Sequence, residues 1–198
     1  MNLLSSTAIF SFFTLISRIL GYLRDILIAI FLGATILADA FFVAFRLPNT
    51  FRRLFAEGTF NAAFIPSYTK ERLTSDKAGK IFADDVLSLV TISLLFLVLL
   101  VEIFTPFVIF LIAPGFFQDS VKYDLAIDLA RITFPFLLFV SVASLFSGVL
   151  NSHNKFAAAA AAPIILNLVL ILILLASYSF NTNYVKNLSY GVTGAGIL

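Results

Sequence analysis

Between Val86 and Ala113 the chain carries one charge, Glu102. A stretch of that length and polarity has one stable environment. About 20 predominantly apolar residues in a helix cross a bilayer, and a soluble domain has no place for a longer run. Comparable segments recur at about 7–32, 36–66, 125–150 and 156–178, and a sixth opens at 190–198. Of the 198 residues, 61% are hydrophobic and 12% charged, with a mean hydropathy of +1.04. A soluble domain is about 25% charged. The expectation is an all-α, polytopic membrane bundle of five or six spans, treated as one domain over 1–198. A soluble enzyme, a nucleic-acid partner and a secreted disulfide scaffold are excluded, the last by the absence of Cys.

The N-terminus lacks the basic residues and cleavage site of a signal peptide. The sixth segment stops after about nine residues, so the chain is expected to continue beyond Leu198. The loops assigned to one side carry Lys70, Arg72, Lys77, Lys80 and Lys155, and those of the other side Lys122 and Lys186. By the positive-inside rule the N-terminus is expected in the cytoplasm.

The most informative charges lie inside the first two segments. Arg18 is near the middle of the first, followed by Arg24 and Asp25; the second holds Asp39, Arg46, Asn49, Arg52, Arg53 and Glu57. Five arginines facing lipid would cost on the order of 15 kcal/mol on insertion scales, so they are expected to face protein or a water-filled cavity. At 100° per residue Arg18 and Asp25 nearly eclipse, and Asp39, Arg46, Arg53 and Glu57 fall within about 40° of one another. Asn49 sits at the edge of that stripe, while Arg52 and Arg24 fall outside it.

Two purely structural readings compete. Arg53 and Glu57 could snorkel from a span end, and Arg18–Asp25 or Arg53–Glu57 could pair. Pairing cannot neutralise five arginines with three acids. Surplus guanidinium groups suit phosphate, which they bind through two parallel hydrogen bonds. The residues thus point to a cationic intramembrane cavity for an anionic substrate. The first segment is read as broken by Gly21 and the second as bent near Pro48, a tolerated device where a cavity is lined.

Ser17-Arg18-Ile19-Leu20-Gly21, Arg24-Asp25, the run Asp39 to Asn49 and Arg52 to Gly58 resemble the MurJ (MviN) family. So do Ala113-Pro114-Gly115-Phe116, Thr133-Phe134-Pro135 and Leu150-Asn151. These are lipid II flippases of bacterial peptidoglycan synthesis, within the multidrug/oligosaccharidyl-lipid/polysaccharide exporter superfamily. The resemblance implies the first lobe of a two-lobed exporter fold, the C-terminal lobe being absent, in the inner membrane. It implies alternating access, with Arg18, Arg24, Arg52, Arg53 and Asn49 at the lipid II pyrophosphate. Asp25, Asp39, Arg46 and Glu57 would be cavity or gate residues, and Gly21 and Pro48 hinges. Membrane lipids, the missing lobe and cell-wall synthesis proteins are the expected partners.

Other features carry less. Glu102 could be a proton carrier, but no further feature supports that. Asp124, Asp128 and Arg131 read as a solvated face, and His153 as an exposed turn residue. The Gly-rich 191–196 run lacks the preceding strand of a nucleotide site. No metal-ligand spacing, catalytic set or P-loop is visible, so neither an enzyme nor a cofactor is expected. Export of another polyprenyl-linked glycan or a drug, or a non-transporting scaffold for wall synthesis, remain the alternatives.

Overall fold

In the apolar core of a bilayer each backbone N–H and C=O must be satisfied within its own segment, which makes helices of such sequences. The computed structural model describes residues 3–56, 59–153 and 155–198, and of these the side chains of 11–50, 60–153, 155 and 160–198. The helices are α1 (Leu3–Leu32), α2 (Ile36–Ala56), α3 (Thr59–Thr74), α4 (Asp76–Ile112), α5 (Ser120–Thr133), α6 (Phe136–Ser152), α7 (Phe156–Ser179) and α8 (Tyr184–Ile197). A 3-10 turn, Pro114–Gln118, precedes α5. Among the described residues there is no strand.

Local chemistry sets the boundaries. α1 passes through Gly21 unbroken, contrary to expectation. An interior glycine costs about 1 kcal/mol of helix propensity but keeps its N–H, so the ladder continues. The stop comes at Gly33, whose φ of +61° only glycine adopts freely, with its N–H bonded to Ala29 O at 3.0 Å. Pro48 lies inside α2, and the 36–66 segment is shared by α2 and α3.

In α4 the backbone departs from helical geometry at Phe104 (φ −98°, ψ 18°), two residues before Pro106. Proline lacks the N–H that would bond the carbonyl four residues earlier. That carbonyl, on Glu102, accepts the Thr105 hydroxyl at 3.1 Å instead. Pro135 likewise separates α5 from α6 within the 125–150 segment. α8 starts at Tyr184, earlier than the apolar run suggests, because the Asn183 side chain caps it by accepting from Lys186 N at 3.1 Å.

Long-range contacts sort the connections into two ends of one bundle. At the first end Asp39 meets Lys122, and the Phe31 ring packs on Tyr178 and Tyr184. At the opposite end Arg72 and Tyr68 meet His153. The chain therefore crosses between the ends five times, and α8 begins a sixth crossing. α2 is the central helix, packed on α5, α6, α3 and α8, whereas α1 lies chiefly along α7. The main core joins Ala40, Phe41, Leu129, Leu170, Leu188 and Val192, all at most 1% exposed.

By length and apolarity, Asp76–Ile112, Ser120–Ser152 and Ala160–Ser179 can span a membrane. α1 and α2 are long enough but carry the charged residues described above. The chain is a multi-pass membrane protein.

Candidate functional site

α2 is covered on nearly every side by neighbouring helices. Among its described side chains Ala38, Ala40, Phe41, Val43, Ala44 and Pro48 are buried; Ile36 and Leu37 are exposed in the first turn, and beyond them Asp39, Phe42, Arg46 and Thr50 form an open stripe, with Asn49 half-buried at its edge. A helix this enclosed, whose remaining surface bears both a carboxylate and a guanidinium, has a surface suited to water or a ligand. Lipid would make that exposure expensive. Asp39 and Arg46 share a face, as the seven-residue spacing predicts.

α1 is organised differently. Ile28 and Leu32 are buried, and Ser11, Arg18 and Asp25, spaced every seven residues, are exposed. Leu15, Ile19, Tyr22 and Ile30 are exposed as well, so α1 shows both a polar edge and an apolar flank.

The Arg18–Asp25 pair of the competing structural reading is not formed. Arg24 takes Asp25, donating from Nε at 3.0 Å and Nη2 at 2.7 Å to Oδ1. Through Nη1 it also donates to Asn167 Oδ1 on α7 at 2.8 Å, and Asn167 Nδ2 donates to the Ser17 carbonyl at 3.0 Å. Adjacent residues on a helix point about 100° apart, yet the long guanidinium arm bends back to its neighbour while α7 supplies the second acceptor. Arg24 is thus held in the α1–α7 seam. Gly21 lies beside the same contact: a Cβ there would sit 3.5 Å from Asn167 Nδ2.

At the end where α1 meets α2, Asp39 Oδ2 accepts from Lys122 Nζ at 2.5 Å, and Lys122 lies 4.4 Å from the Phe116 ring centre. Two of the expected cavity acids are therefore neutralised, Asp25 by Arg24 and Asp39 by Lys122. Arg18 and Arg46 keep no hydrogen-bond or ion-pair partner among the described residues. The side chains of Arg52 and Arg53, and Glu57 with any Arg53–Glu57 pair, lie outside the described residues.

The remaining features fall as follows. Asp124, Asp128 and Arg131 are exposed. Glu102 has one buried carboxylate oxygen without a hydrogen-bond partner. His153 is exposed but engaged, between Tyr68 Oη at 3.3 Å and Arg72 Nη1 at 3.2 Å. No cluster that could hold a metal ion occurs among the described residues. Sequence reasoning missed Asn167 and Lys122. The first had a legible signal, being the lone polar side chain between Pro163 and Ser177.

A family model described as "Lipid II flippase MurJ" matches residues 28–198. The chain belongs to the MurJ family. The matched range contains the α2 stripe but begins beyond Arg18, Arg24 and Asp25. A protein named "Probable lipid II flippase MurJ" from Rickettsia prowazekii is 45% identical over 167 residues, covering 84% of this chain and 33% of the relative. One of the same name from Rhizobium tropici is 42% identical over 190 residues, with 93% and 36% covered. A solved structure, "Lipid II flippase MurJ, inward closed conformation", superposes with a TM-score of 0.82 at 30% identity. It covers 95% of this chain and 39% of that one. The chain thus spans about a third of the length of these MurJ relatives, and its helices correspond to one lobe of that fold.

Proposed function

We propose that the chain is the first lobe of a lipid II flippase, and that the open stripe of α2 lines the cavity receiving the head group. The observation that carries this reading is the packing of α2: between Ala38 and Thr50 its open stripe carries Asp39 and Arg46 beside Phe42, and Arg46 has no side-chain partner among the described residues. Arg18, likewise without a partner among the described residues, stands on the polar edge of α1. A guanidinium with all its donors available binds a pyrophosphate bidentately. Arg52, Arg53 and Asn49 complete the proposed contact set, with Glu57 at the gate. Arg24 reaches substrate only by releasing Asp25 or Asn167, so its first role is to position α1 on α7.

Transport proceeds by alternating access, the first lobe rocking against a second supplied by the rest of a family-length protein. Pro48 and Gly21 are the proposed bending points. The polyprenyl tail stays in the bilayer while the head group crosses the cavity. The membrane potential, worth about 2.3 kcal/mol per charge per 100 mV, is the proposed drive. The end bearing Lys70, Arg72, Lys77, Lys80 and Lys155 faces the cytoplasm, as the positive-inside rule requires. That places the N-terminus inside and the Asp39–Lys122 pair at the periplasmic end of an inner-membrane protein. Cell-wall synthesis enzymes are the proposed protein partners.

The test is complementation. A bacterium whose sole flippase is a complete protein with this first lobe should fail to grow with Arg18→Ala, Arg46→Ala or Arg52→Ala at normal expression. Growth of all three variants would exclude the cationic-cavity reading and favour a scaffold, in which the arginines are dispensable.

A further inference from the structure

A second cavity, of about 400 Å3, opens at the end of the bundle opposite the Asp39–Lys122 pair, between the α3–α4 hairpin and the end of α6. It shares no residue with the α2 stripe. Its walls change character along the helix axis. At the mouth stand Arg72, Asp76, Lys80 and Asp84; deeper in, the lining is Leu87, Leu145, Phe146 and Val149. Asp76, Lys80 and Asp84 follow one another at intervals of four, so they share a face of α4, and Leu87 continues it. This is the level at which α4 turns from charged (residues 76–85) to the apolar run that begins at Val86. The cavity therefore straddles the height where a lipid head group gives way to its acyl chain.

The charges at the mouth are balanced, two cations and two carboxylates. Lys80 and Asp84 make no side-chain hydrogen bond or ion pair among the described residues, and Arg72 and Asp76 are loosely apposed at 3.9 Å. His153 meets Arg72 Nη1 through Nδ1 at 3.2 Å and Tyr68 Oη through Nε2 at 3.3 Å. Tyr68, 6% exposed, packs the hairpin against Leu145 of α6, and Gly79, whose Cβ would stand 2.9 Å from Arg72 Cβ, lets α3 and α4 approach closely beside the mouth. Phe146 is 51% exposed on the lower wall, an apolar surface for a chain to lie on.

We propose that this cavity binds a glycerophospholipid with a zwitterionic head group ending in a primary ammonium. The phosphate lies between Arg72 and Lys80, the ammonium donates to Asp84 and Asp76, and one acyl chain runs over Leu87 and Phe146. An anionic lipid without an ammonium would leave both carboxylates facing its phosphate. A quaternary ammonium has no N–H to donate. The balanced mouth selects against both.

The test uses a complete flippase with this first lobe, stripped of lipid in detergent and offered phosphatidylethanolamine, phosphatidylcholine or phosphatidylglycerol. Retained lipid is counted by native mass spectrometry. Phosphatidylethanolamine should be retained about tenfold better than the other two. A Lys80→Gln/Asp84→Asn double variant, altered only at exposed positions, should lose that preference while unfolding at the same temperature as the parent. A Phe146→Ala variant should weaken all three lipids alike. Equal retention of the three, a preference for phosphatidylglycerol, or a preference that survives the double variant would each overturn the proposal. So would soluble glycerophosphoethanolamine binding as tightly as the lipid, because the acyl contact would then contribute nothing.

Discussion

Replacing Asn167 by leucine removes the only described link by which α7 holds Arg24. Both ends of the amide are used: Oδ1 takes a guanidinium proton at 2.8 Å and Nδ2 gives one to the Ser17 carbonyl at 3.0 Å. The Arg24 side chain is 18% exposed, so little water is available to replace the lost acceptor. Interhelical hydrogen bonds in membranes average about 0.6 kcal/mol and reach about 1.7. A bond to a charged donor lies toward the upper end of its class. Ser17 O loses less, since it also serves the helix ladder, and Asp25 keeps most of the guanidinium charge neutralised. The expected cost of Asn167→Leu is about 1.5–2 kcal/mol. In a double-mutant cycle with Arg24→Ala, about 1 kcal/mol should appear as coupling. Reversible unfolding of the reconstituted protein in mixed micelles, followed by circular dichroism, measures each corner of the cycle. Asn167→Asp should recover most of the loss by keeping the acceptor. A coupling energy near zero would refute the assignment of Arg24 to the α1–α7 seam.

Other substitutions test other parts. Arg18→Ala and Arg46→Ala, at exposed positions without a partner among the described residues, should change stability by less than about 0.5 kcal/mol in the same assay while abolishing complementation. Lys122→Met and Asp39→Asn should each cost about 0.2–1 kcal/mol, because Asp39 is 56% exposed, and the loss should shrink in high salt. Gly148→Ala should destabilise by about 1–3 kcal/mol, since its Cβ would lie 2.6 Å from Asn61 Oδ1 and 2.9 Å from the Phe64 ring. Gly194→Ala, with nothing within 4 Å of the added atom, should be neutral or stabilising by up to about 1 kcal/mol.

What the sequence made legible follows the physics of single helices. The all-helical fold is a property of composition over windows of about 20 residues, and three helical stretches, Asp76–Ile112, Ser120–Ser152 and Ala160–Ser179, are long and apolar enough to span a membrane. The shared face of Asp39 and Arg46 is a property of helical period, and α2 keeps it over the turns ahead of Pro48. The partners of those charges were not legible. Asp25 pairs with Arg24 because a flexible arm and an acceptor on α7 outweigh the i, i+7 alignment with Arg18. Asp39 pairs with Lys122, and Arg24 bonds Asn167, across separations that no local pattern encodes. Boundaries failed where side chains overrule hydropathy: Asn183 starts α8 within a polar stretch, and Pro135 divides an apolar one. The break expected at Gly21 is absent, because glycine weakens a helix without removing a hydrogen-bond donor.

The central claim is that the open stripe of α2 faces an aqueous, substrate-binding cavity. The chain has no cysteine, so single cysteines placed within it report without background from this lobe. Phe42→Cys and Thr50→Cys on the stripe, and Phe96→Cys on the exposed apolar surface of α4, are compared in a complete, otherwise cysteine-free flippase in membranes. A water-soluble maleimide should label the two stripe positions, lipid II should slow that labelling, and Phe96→Cys should stay unreactive. Stripe positions as unreactive as Phe96→Cys, or labelled at a rate that lipid II leaves unchanged, would contradict the claim.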